Sequence, residues 1–301
     1  MKHPSFAYLQ LASRALLITI CALPASALAT NPVTEIATAD VPEGTLGLGF
    51  GWRWGDSPYP GIGDISSMET DENSDVLPFY YYEGRYLFAH GSTAGIHLFN
   101  NDSFSLDALL AYRFDRLEPE RDDFFDGVEE REQSLDGGIR GSLKGGWGNL
   151  SLTWLQDTLD RHNGEELDLT YRYNWIGNKW TVSPFASYVH WDEALTDYYY
   201  GVSGAESRDD LPVYYPGESS RWRAGVNTAY HISKRLRVFA NLAVEVLDDE
   251  VTDSPLVDEA HLVSAMVGVA YAFGNVLDEQ ASSRRNPERA GEWSWRVNAG
   301  Y

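Results

Sequence analysis

Cysteine is all but missing from this chain. Its 301 residues hold a single one, Cys21, so disulfide frameworks, thiolate metal centres and cysteine nucleophiles are excluded together. Basic residues are scarce: 23 Lys+Arg stand against 45 Asp+Glu, a formal net charge of -22. With no basic block anywhere, nucleic acid is excluded as a partner, because phosphate binding draws on clustered cations. Long hydrophobic runs are missing as well. After residue 29 nothing approaches the roughly 18 apolar residues that a spanning helix needs, which excludes a polytopic helical membrane protein. What is abundant excludes disorder: 10 Trp, 18 Tyr and 12 Phe, with 27 Gly, are far too many aromatics for an unfolded chain.

The first residues indicate export. Lys2, His3 and Arg14 precede the apolar run Ala15 to Leu23, and Pro24 and the small-residue exit Ala27-Leu28-Ala29 follow. This pattern predicts a signal peptide over 1–29, cut after Ala29. Ile18-Thr19-Ile20 before Cys21 lacks the small residues of a lipoprotein site, so the cysteine leaves with the signal. Residues 30–43 are then a short periplasmic N-terminal segment.

Alternation dominates the remainder. From Glu166, Leu167, Leu169, Tyr171, Tyr173 and Trp175 share one parity, while Glu166, Asp168, Thr170, Arg172 and Asn174 share the other. In a strand these sets point to opposite faces. The pattern recurs over 104–114, 135–144, 222–230, 236–246 and 263–273. Such strands match the roughly 9–11 residues that cross a bilayer at a tilt. Aromatics gather near their ends on the apolar parity, as at Trp52 and Trp54, Tyr173 and Trp175, and Tyr271 and Phe273, where an interfacial girdle sits. Whole charges stand mid-strand on the other parity, which a wet lumen accepts and a dry sandwich core does not. The expected fold is therefore all-β: an antiparallel transmembrane β-barrel with little helix, occupying 44–301.

Candidate strands are 44–54, 76–90, 93–99, 103–114, 133–146, 149–160, 165–176, 179–192, 221–231, 235–247, 260–273 and 291–301, about twelve, with ten to fourteen as the range. Short turns at 147–148, 177–178 and 232–234 belong in the periplasm, and long loops 115–132, 193–220 and 248–259 outside. Counted from a periplasmic N-terminus, this list puts the long loops on the wrong side. Splitting 76–90 at Glu83-Gly84 repairs the parity and makes Phe273 a periplasmic end. The segment 274–301 is then an extra strand or a tail, although Trp293, Trp295, Val297, Ala299 and Tyr301 alternate like the C-terminal aromatic signal read by the barrel-assembly machinery.

The lumen parity gathers Arg53, Arg113, Arg140, Lys144, Arg172, Arg223 and Arg237 beside Asp107, Asp136, Glu166, Asp168 and Glu245. Two readings stand. These charges guide acidic solutes through a channel, or they pair and plug a barrel whose roughly twelve strands leave little more than side-chain room. The acidic loops 64–75, 115–132 and 248–259 read as solvated surface, with divalent-cation binding facing lipopolysaccharide as the sharper alternative. No EF-hand spacing occurs in them. The pairings nearest to a catalytic or metal site, His190-Trp191-Asp192 and Asp160-Arg161-His162, lack a dense serine constellation or an H-x₃-H pair. No enzyme and no cofactor is expected.

Several segments look familiar in combination. Tyr199-Tyr200-Gly201-Val202-Ser203, Leu211-Pro212-Val213-Tyr214-Tyr215-Pro216-Gly217, Asp253-Ser254-Pro255-Leu256-Val257 and Gly268-Val269-Ala270-Tyr271-Ala272-Phe273, in that order, resemble the MipA/OmpV family of outer-membrane proteins. Gly84-Arg85-Tyr86-Leu87-Phe88 and Asn100-Asn101-Asp102 add to it, and the resemblance spans about 44–273. It implies an outer-membrane barrel of the MltA-interacting type, whose named member bridges a membrane-bound lytic transglycosylase and a bifunctional murein synthase. Adhesins also occur among its members. The implied partners are outer-membrane lipid and lipopolysaccharide, the assembly machinery and those murein enzymes. The extension after Phe273 and the acidic 115–132 loop depart from the family pattern.

Overall fold

A computed structural model describes residues 44–60 and 74–273. The expected signal peptide 1–29, the segment 30–43, most of the acidic stretch 64–75 and the tail 274–301 with its terminal strand lie outside the described residues.

The alternating segments become strands of one antiparallel sheet. In chain order these are β1 (Thr45–Gly55), β2 (Ser74–Glu83), β3 (Leu87–His90), β4 (Thr93–Asn100), β5 (Phe104–Arg113), β6 (Ser134–Gly145), β7 (Gly148–Asp157), β8 (Glu165–Arg172), β9 (Trp175–Ile176), β10 (Trp180–Trp191), β11 (Ser219–His231), β12 (Leu236–Leu247) and β13 (His261–Phe273). Each pairs with its neighbour, and β13 returns to β1 over the register Leu46↔Phe273 to Gly55↔Ser264. The sheet thus closes on itself, which removes its edges. Among the described residues the wall closes through β13, which ends at Phe273.

Two prolines explain where the ladder is interrupted. β8 and β9 keep one register against β10 and form a single stave, so the wall has twelve. Their break at Tyr173-Asn174 lies beside Pro184: Tyr173 N–H donates to Pro184 C=O at 3.1 Å, but proline has no N–H to return. Pro78 acts similarly on β2. Strand β3 meets β2 only from Tyr81 to Glu83, and Gly91 N–H closes that seam on Tyr80 C=O at 3.0 Å. Pro78, two residues on and facing the same side, stands beyond the last β3 partner, where a missing donor costs the ladder nothing. Residues 76–90 are therefore two strands divided at Gly84, as the loop-parity argument requires.

The two faces separate cleanly. Phe50, Trp52, Leu98, Ile139, Leu152 and Leu242 point outward and are exposed, the signature of a lipid-facing band. Aromatic pairs bracket it: Trp52 with Trp54 and Tyr188 with Trp222 near one rim, and Trp180 with Tyr230 and Tyr271 with Phe273 near the other. Inward, Leu77, Phe79, Tyr81, Phe114, Phe239, Met266 and Ala270 are buried together, with Phe79 and Phe239 rings 4.4 Å apart. Gly47 makes room for this cluster, because a Cβ there would come within 1.9 Å of the Tyr81 ring.

The turns 84–86, 101–103, 146–147 and 232–235 fall at the rim that holds Thr45 and Phe273, while 114–133, 192–218 and 248–260 crown the other; the short turns 91–92 and 158–164 point to the crown side. By the usual asymmetry of bacterial barrels the first rim is periplasmic. Besides the solvated acids expected of these loops, the crown has regular structure. It contains helix α1 (Glu193–Tyr200), helix α2 (Asp249–Thr252) and two single-turn 3-10 segments, at Pro119–Arg121 and Asp123–Phe125. Asp192 caps α1 by accepting the Leu195 N–H at 2.9 Å.

Candidate functional site

The outer mouth holds a packed apolar cluster. Leu117, Phe125 and Val128 from the acidic 114–133 segment, Leu195, Tyr199, Tyr200, Val202 and Leu211 from 192–218, and Val251 and Leu256 form one buried cluster with Tyr59, Val189, Trp191 and Leu247 of the barrel top. Most acids in these loops, Glu206 apart, stand toward water while their apolar neighbours turn inward.

The family-like residues are the fasteners of this cap. Tyr199 is fully buried and its carbonyl accepts the Tyr59 hydroxyl at 3.0 Å, while Tyr200 C=O accepts the Ser254 hydroxyl at 2.6 Å. Gly201 ends α1 through its N–H to Asp197 C=O at 2.8 Å, and a Cβ there would stand 2.5 Å from that same oxygen. Val202 exchanges two backbone hydrogen bonds with Tyr214, at 2.8 and 3.0 Å. Ser203 N–H donates to Glu206 at 2.8 Å; Asp253 N–H continues α2 onto Asp249 C=O at 2.9 Å, and Pro255 follows the buried Ser254.

Glu206 knots three segments together. Its carboxylate accepts the Glu129 N–H at 2.9 Å and the Arg131 guanidinium at 2.7 Å besides Ser203, and Arg131 also reaches Gly201 C=O at 3.1 Å. Burial pushes this carboxyl up, but the Glu129 and Ser203 hydrogen bonds and Arg131 outweigh it, leaving it below the usual glutamate range. A lowered native value means stability that is complete above the ordinary glutamate range and lost as pH falls through the lowered value. In an acid titration followed by near-UV circular dichroism, Glu206→Gln is therefore expected to weaken the cap at neutral pH and to remove the part of its acid loss that Glu206 contributes; an unchanged titration curve refutes this.

Beneath the cap lies a buried ion network. Arg113 bonds Asp136 at 2.7 Å and Glu166 at 2.9 Å; Glu166 also accepts the Trp191 indole N–H at 2.8 Å. Arg221 stacks over Trp191 at 4.1 Å and pairs with Glu245 at 3.1 Å, while Arg223 holds the other Glu245 oxygen at 2.6 Å. Lower down, Arg140 pairs with Asp107 at 3.1 Å, Asp168 accepts from the Thr170 hydroxyl at 2.6 Å, and Arg237 lies 5.6 Å from the Tyr81 ring centre. Arg172 is buried in the lower lumen and Arg53 lies on the inward parity of β1, partly buried. Lys144, at the lower end of β6, donates to the Asn100 side chain at 3.2 Å. Of the named charges, Arg113, Asp136, Arg223 and Glu245 thus lie under the cap, and Arg140 pairs with Asp107 lower down.

The catalytic-looking fragments have other work. Ser134 Oγ lies 2.8 Å from Asp157 and 3.1 Å from Asp136, so its single proton is shared between these two carboxylates and not given to a histidine. Asp136, Asp157 and His162 sit close enough to suggest a cation. However, His162 Nδ1 accepts the Gly164 N–H at 3.1 Å, so its proton is on Nε2, donated to Asp136 at 3.1 Å. A metal there would have to displace that proton. Asp157 meanwhile caps the 158–163 turn by accepting the Leu159, His162 and Asn163 N–H groups. His190 lies 3.7 Å from exposed Glu218.

Sequence reading missed Arg221, two residues before Arg223 on the same parity, and Glu83, His90 and His97, one each on β2, β3 and β4. Parity could have found the first. The histidines are brought together only by the short β3–β4 hairpin.

Comparison with known proteins gives a family and several relatives. The family described as MltA-interacting protein MipA matches residues 48–273. A putative outer membrane protein YiaT of Escherichia coli K12 is 25% identical over 251 residues, covering 82% of this chain and 97% of that protein. The MltA-interacting protein of the same strain is 29% identical over 219 residues, 71% of this chain and 88% of its own. The outer membrane protein OmpV of Vibrio cholerae is 23% identical over 207 residues, 68% of this chain and 80% of its own. Among solved structures, the translocator domain of the autotransporter NalP from Neisseria meningitidis superposes loosely, with a TM-score of 0.38 and 12% identity over 80% of this chain and 92% of that one.

Proposed function

This chain belongs to the MltA-interacting protein MipA family of outer-membrane barrels, and on that premise we propose that it is an anchoring scaffold which holds murein-processing enzymes at the inner face of the outer membrane. The observation that carries this reading is the division of charge between the rims. Lys144, Lys179 and Lys234 are all the lysines that follow residue 29, and all three lie at the short-turn rim with Arg85 and Arg235. Asp102 is the acid among the described residues of those turns. The crown, in contrast, is dense in Asp and Glu. A basic rim facing the periplasm suits an acidic protein surface, and the packed crown supports an anchor over an open conduit for acidic solutes. The relative named for its interaction with MltA points to a lytic transglycosylase as the partner to seek.

Co-purification from crosslinked envelopes tests this. A lytic transglycosylase or murein synthase is expected to elute with the wild-type barrel, and Lys179→Glu with Lys234→Glu and Arg235→Glu is expected to reduce its yield about tenfold or more, since like-charge contacts cost several kcal/mol at an interface. Repeated elution without any murein enzyme sinks the proposal. The channel alternative predicts an ion current in planar bilayers that Arg140→Ala combined with Arg172→Ala alters.

A further inference from the structure

We propose that the barrel wall carries a lateral portal between β2 and β5, through which an acyl chain of lipopolysaccharide, the lipid of the outer leaflet, reaches apolar side chains inside the lumen. The portal exists because one hairpin is short. β2 and β5 have 10 residues each, whereas β3 between them has 4. His90 pairs with Thr93 across the two-residue turn Gly91-Ser92, and Gly91 takes a φ of 56°. Two-residue hairpin turns favour glycine at the first central position because of this positive φ. The hairpin therefore reverses low in the wall.

Above that turn the wall lacks both hairpin strands. β3 stays with β2 only from Tyr81 to Glu83, and Gly91 N–H closes the pair on Tyr80 C=O at 3.0 Å. On the other flank Thr93 pairs with Ala111, and Tyr112 N–H donates to Ser92 C=O at 2.9 Å. Among the described residues no strand lies beside β2 on the hairpin side from Ser74 to Phe79, roughly 20 Å of strand at about 3.3 Å per residue. On its other side this stretch is paired with β1, from Ser74↔Trp54 to Phe79↔Gly49, so it is firm wall bordering a gap. Pro78 suits such an edge. Its backbone faces the gap and brings no N–H to be left unpaired at the level of the lipid.

Side chains fill the gap in place of backbone. Phe114, just past the end of β5, is buried in the same cluster as Leu77 and Phe79 of β2, and Tyr112 packs against that cluster. The Tyr112 and Phe114 rings lie 4.6 Å apart, and the Tyr112 hydroxyl donates to Gln133 at 2.7 Å. Outside them Val76 is 55% exposed and Pro78 is exposed, continuous with the lipid-facing band. Inside lies the apolar group of Leu77, Phe79, Phe239 and Met266, in a lumen otherwise rich in charge. An aromatic ring moves by side-chain rotation, whereas a strand leaves the sheet only by breaking its ladder. The gap opens in the half of the wall beneath the crown, which is the outer leaflet, and an apolar route admits hydrocarbon and not ions. Acyl chains of the outer-leaflet lipid are the hydrocarbon that borders it.

The test places the photocrosslinking amino acid p-benzoylphenylalanine at Phe79 of the full-length chain in a Gram-negative host, and reads adducts on gels with an antibody to lipid A. Irradiation of intact cells is expected to attach lipopolysaccharide at Phe79, although this side chain points into the lumen. The outward Phe50, 65% exposed, should give the same adduct, and the inward Phe185 of β10, 4% exposed, should give none. Phe114→Ala, which removes the ring that bridges the gap, is expected to raise the yield at Phe79 and to leave that at Phe50 unchanged. Folding is checked by heat-dependent migration in gels, and Leu77 is the second position for the probe if the Phe79 variant does not fold. The proposal is overturned by no adduct at either position in folded protein, by an adduct with phospholipid or with the chain itself in place of lipopolysaccharide, or by a yield that Phe114→Ala does not raise. None of these outcomes depends on a partner at the periplasmic rim.

Discussion

Replacing Arg113 by alanine is expected to cost about 3–5 kcal/mol, the typical loss when one member of a buried ion pair is removed. Asp136 and Glu166 share this guanidinium at 2.7 and 2.9 Å, and all three side chains are at most 5% exposed. Without it two carboxylates are left facing each other beneath the cap, remote from water, with Arg221 the nearest remaining cation on Glu166 at 3.7 Å. The loss is measurable as a shift in the urea midpoint of the barrel refolded into lipid vesicles, followed by tryptophan fluorescence. Adding Glu166→Gln to the variant is expected to restore part of the stability, because the repulsion is removed even though the original pair is not. A single-variant loss below about 1 kcal/mol would show the network to be as weak as an exposed pair.

The second large effect is expected at Tyr199. Its ring is fully buried among Trp191, Tyr59 and Tyr198 under the cap, so Tyr199→Ala should cost about 3–5 kcal/mol through lost contacts and the cavity left behind. Tyr199→Phe retains the ring and loses only the hydroxyl bond to Glu132 C=O, 3.2 Å long, for about 1 kcal/mol. The two variants should also differ in bilayers. Loosening the cap opens the mouth without touching the wall, so ion current is expected to rise in Tyr199→Ala and to stay near wild type in Tyr199→Phe. Equal currents in all three proteins would mean that this cluster does not seal the barrel.

The wall was largely legible in the sequence because a lipid-facing strand has one unambiguous signal. Along β12, Leu242, Val244 and Val246 face lipid while Asn241 and Glu245 face inward. Where both faces are apolar the signal fades. Tyr80-Tyr81-Tyr82 carries no parity, and only the need to put long loops outside located the break at Gly84. The cap was illegible for a different reason. Leu117, Phe125 and Val128 stand singly among many acids, and irregular loops bury residues according to contacts made far along the chain. The order of family-like residues was visible, but their work as fasteners between Tyr59, α1 and Ser254 was not. Likewise the ion-pair group of Glu83, His90 and His97 follows no sequence period; a hairpin of unusual shortness joins them.

The pairing of Leu46 with Phe273 has a consequence for the order of events in biogenesis. The contact that turns a ribbon into a ring joins the two extremes of the described wall, so no shorter product of translation or translocation can reproduce it. Hairpins such as β6 with β7 can pair early, since their residues are close along the chain, whereas the seam between β1 and β13 must wait for the whole span. Until that moment both outer strands offer unpaired backbone to any neighbouring chain. The interval between export and ring closure is thus the molecule's period of greatest exposure to aggregation, and mutual repulsion among its many carboxylates acts against aggregation for that time.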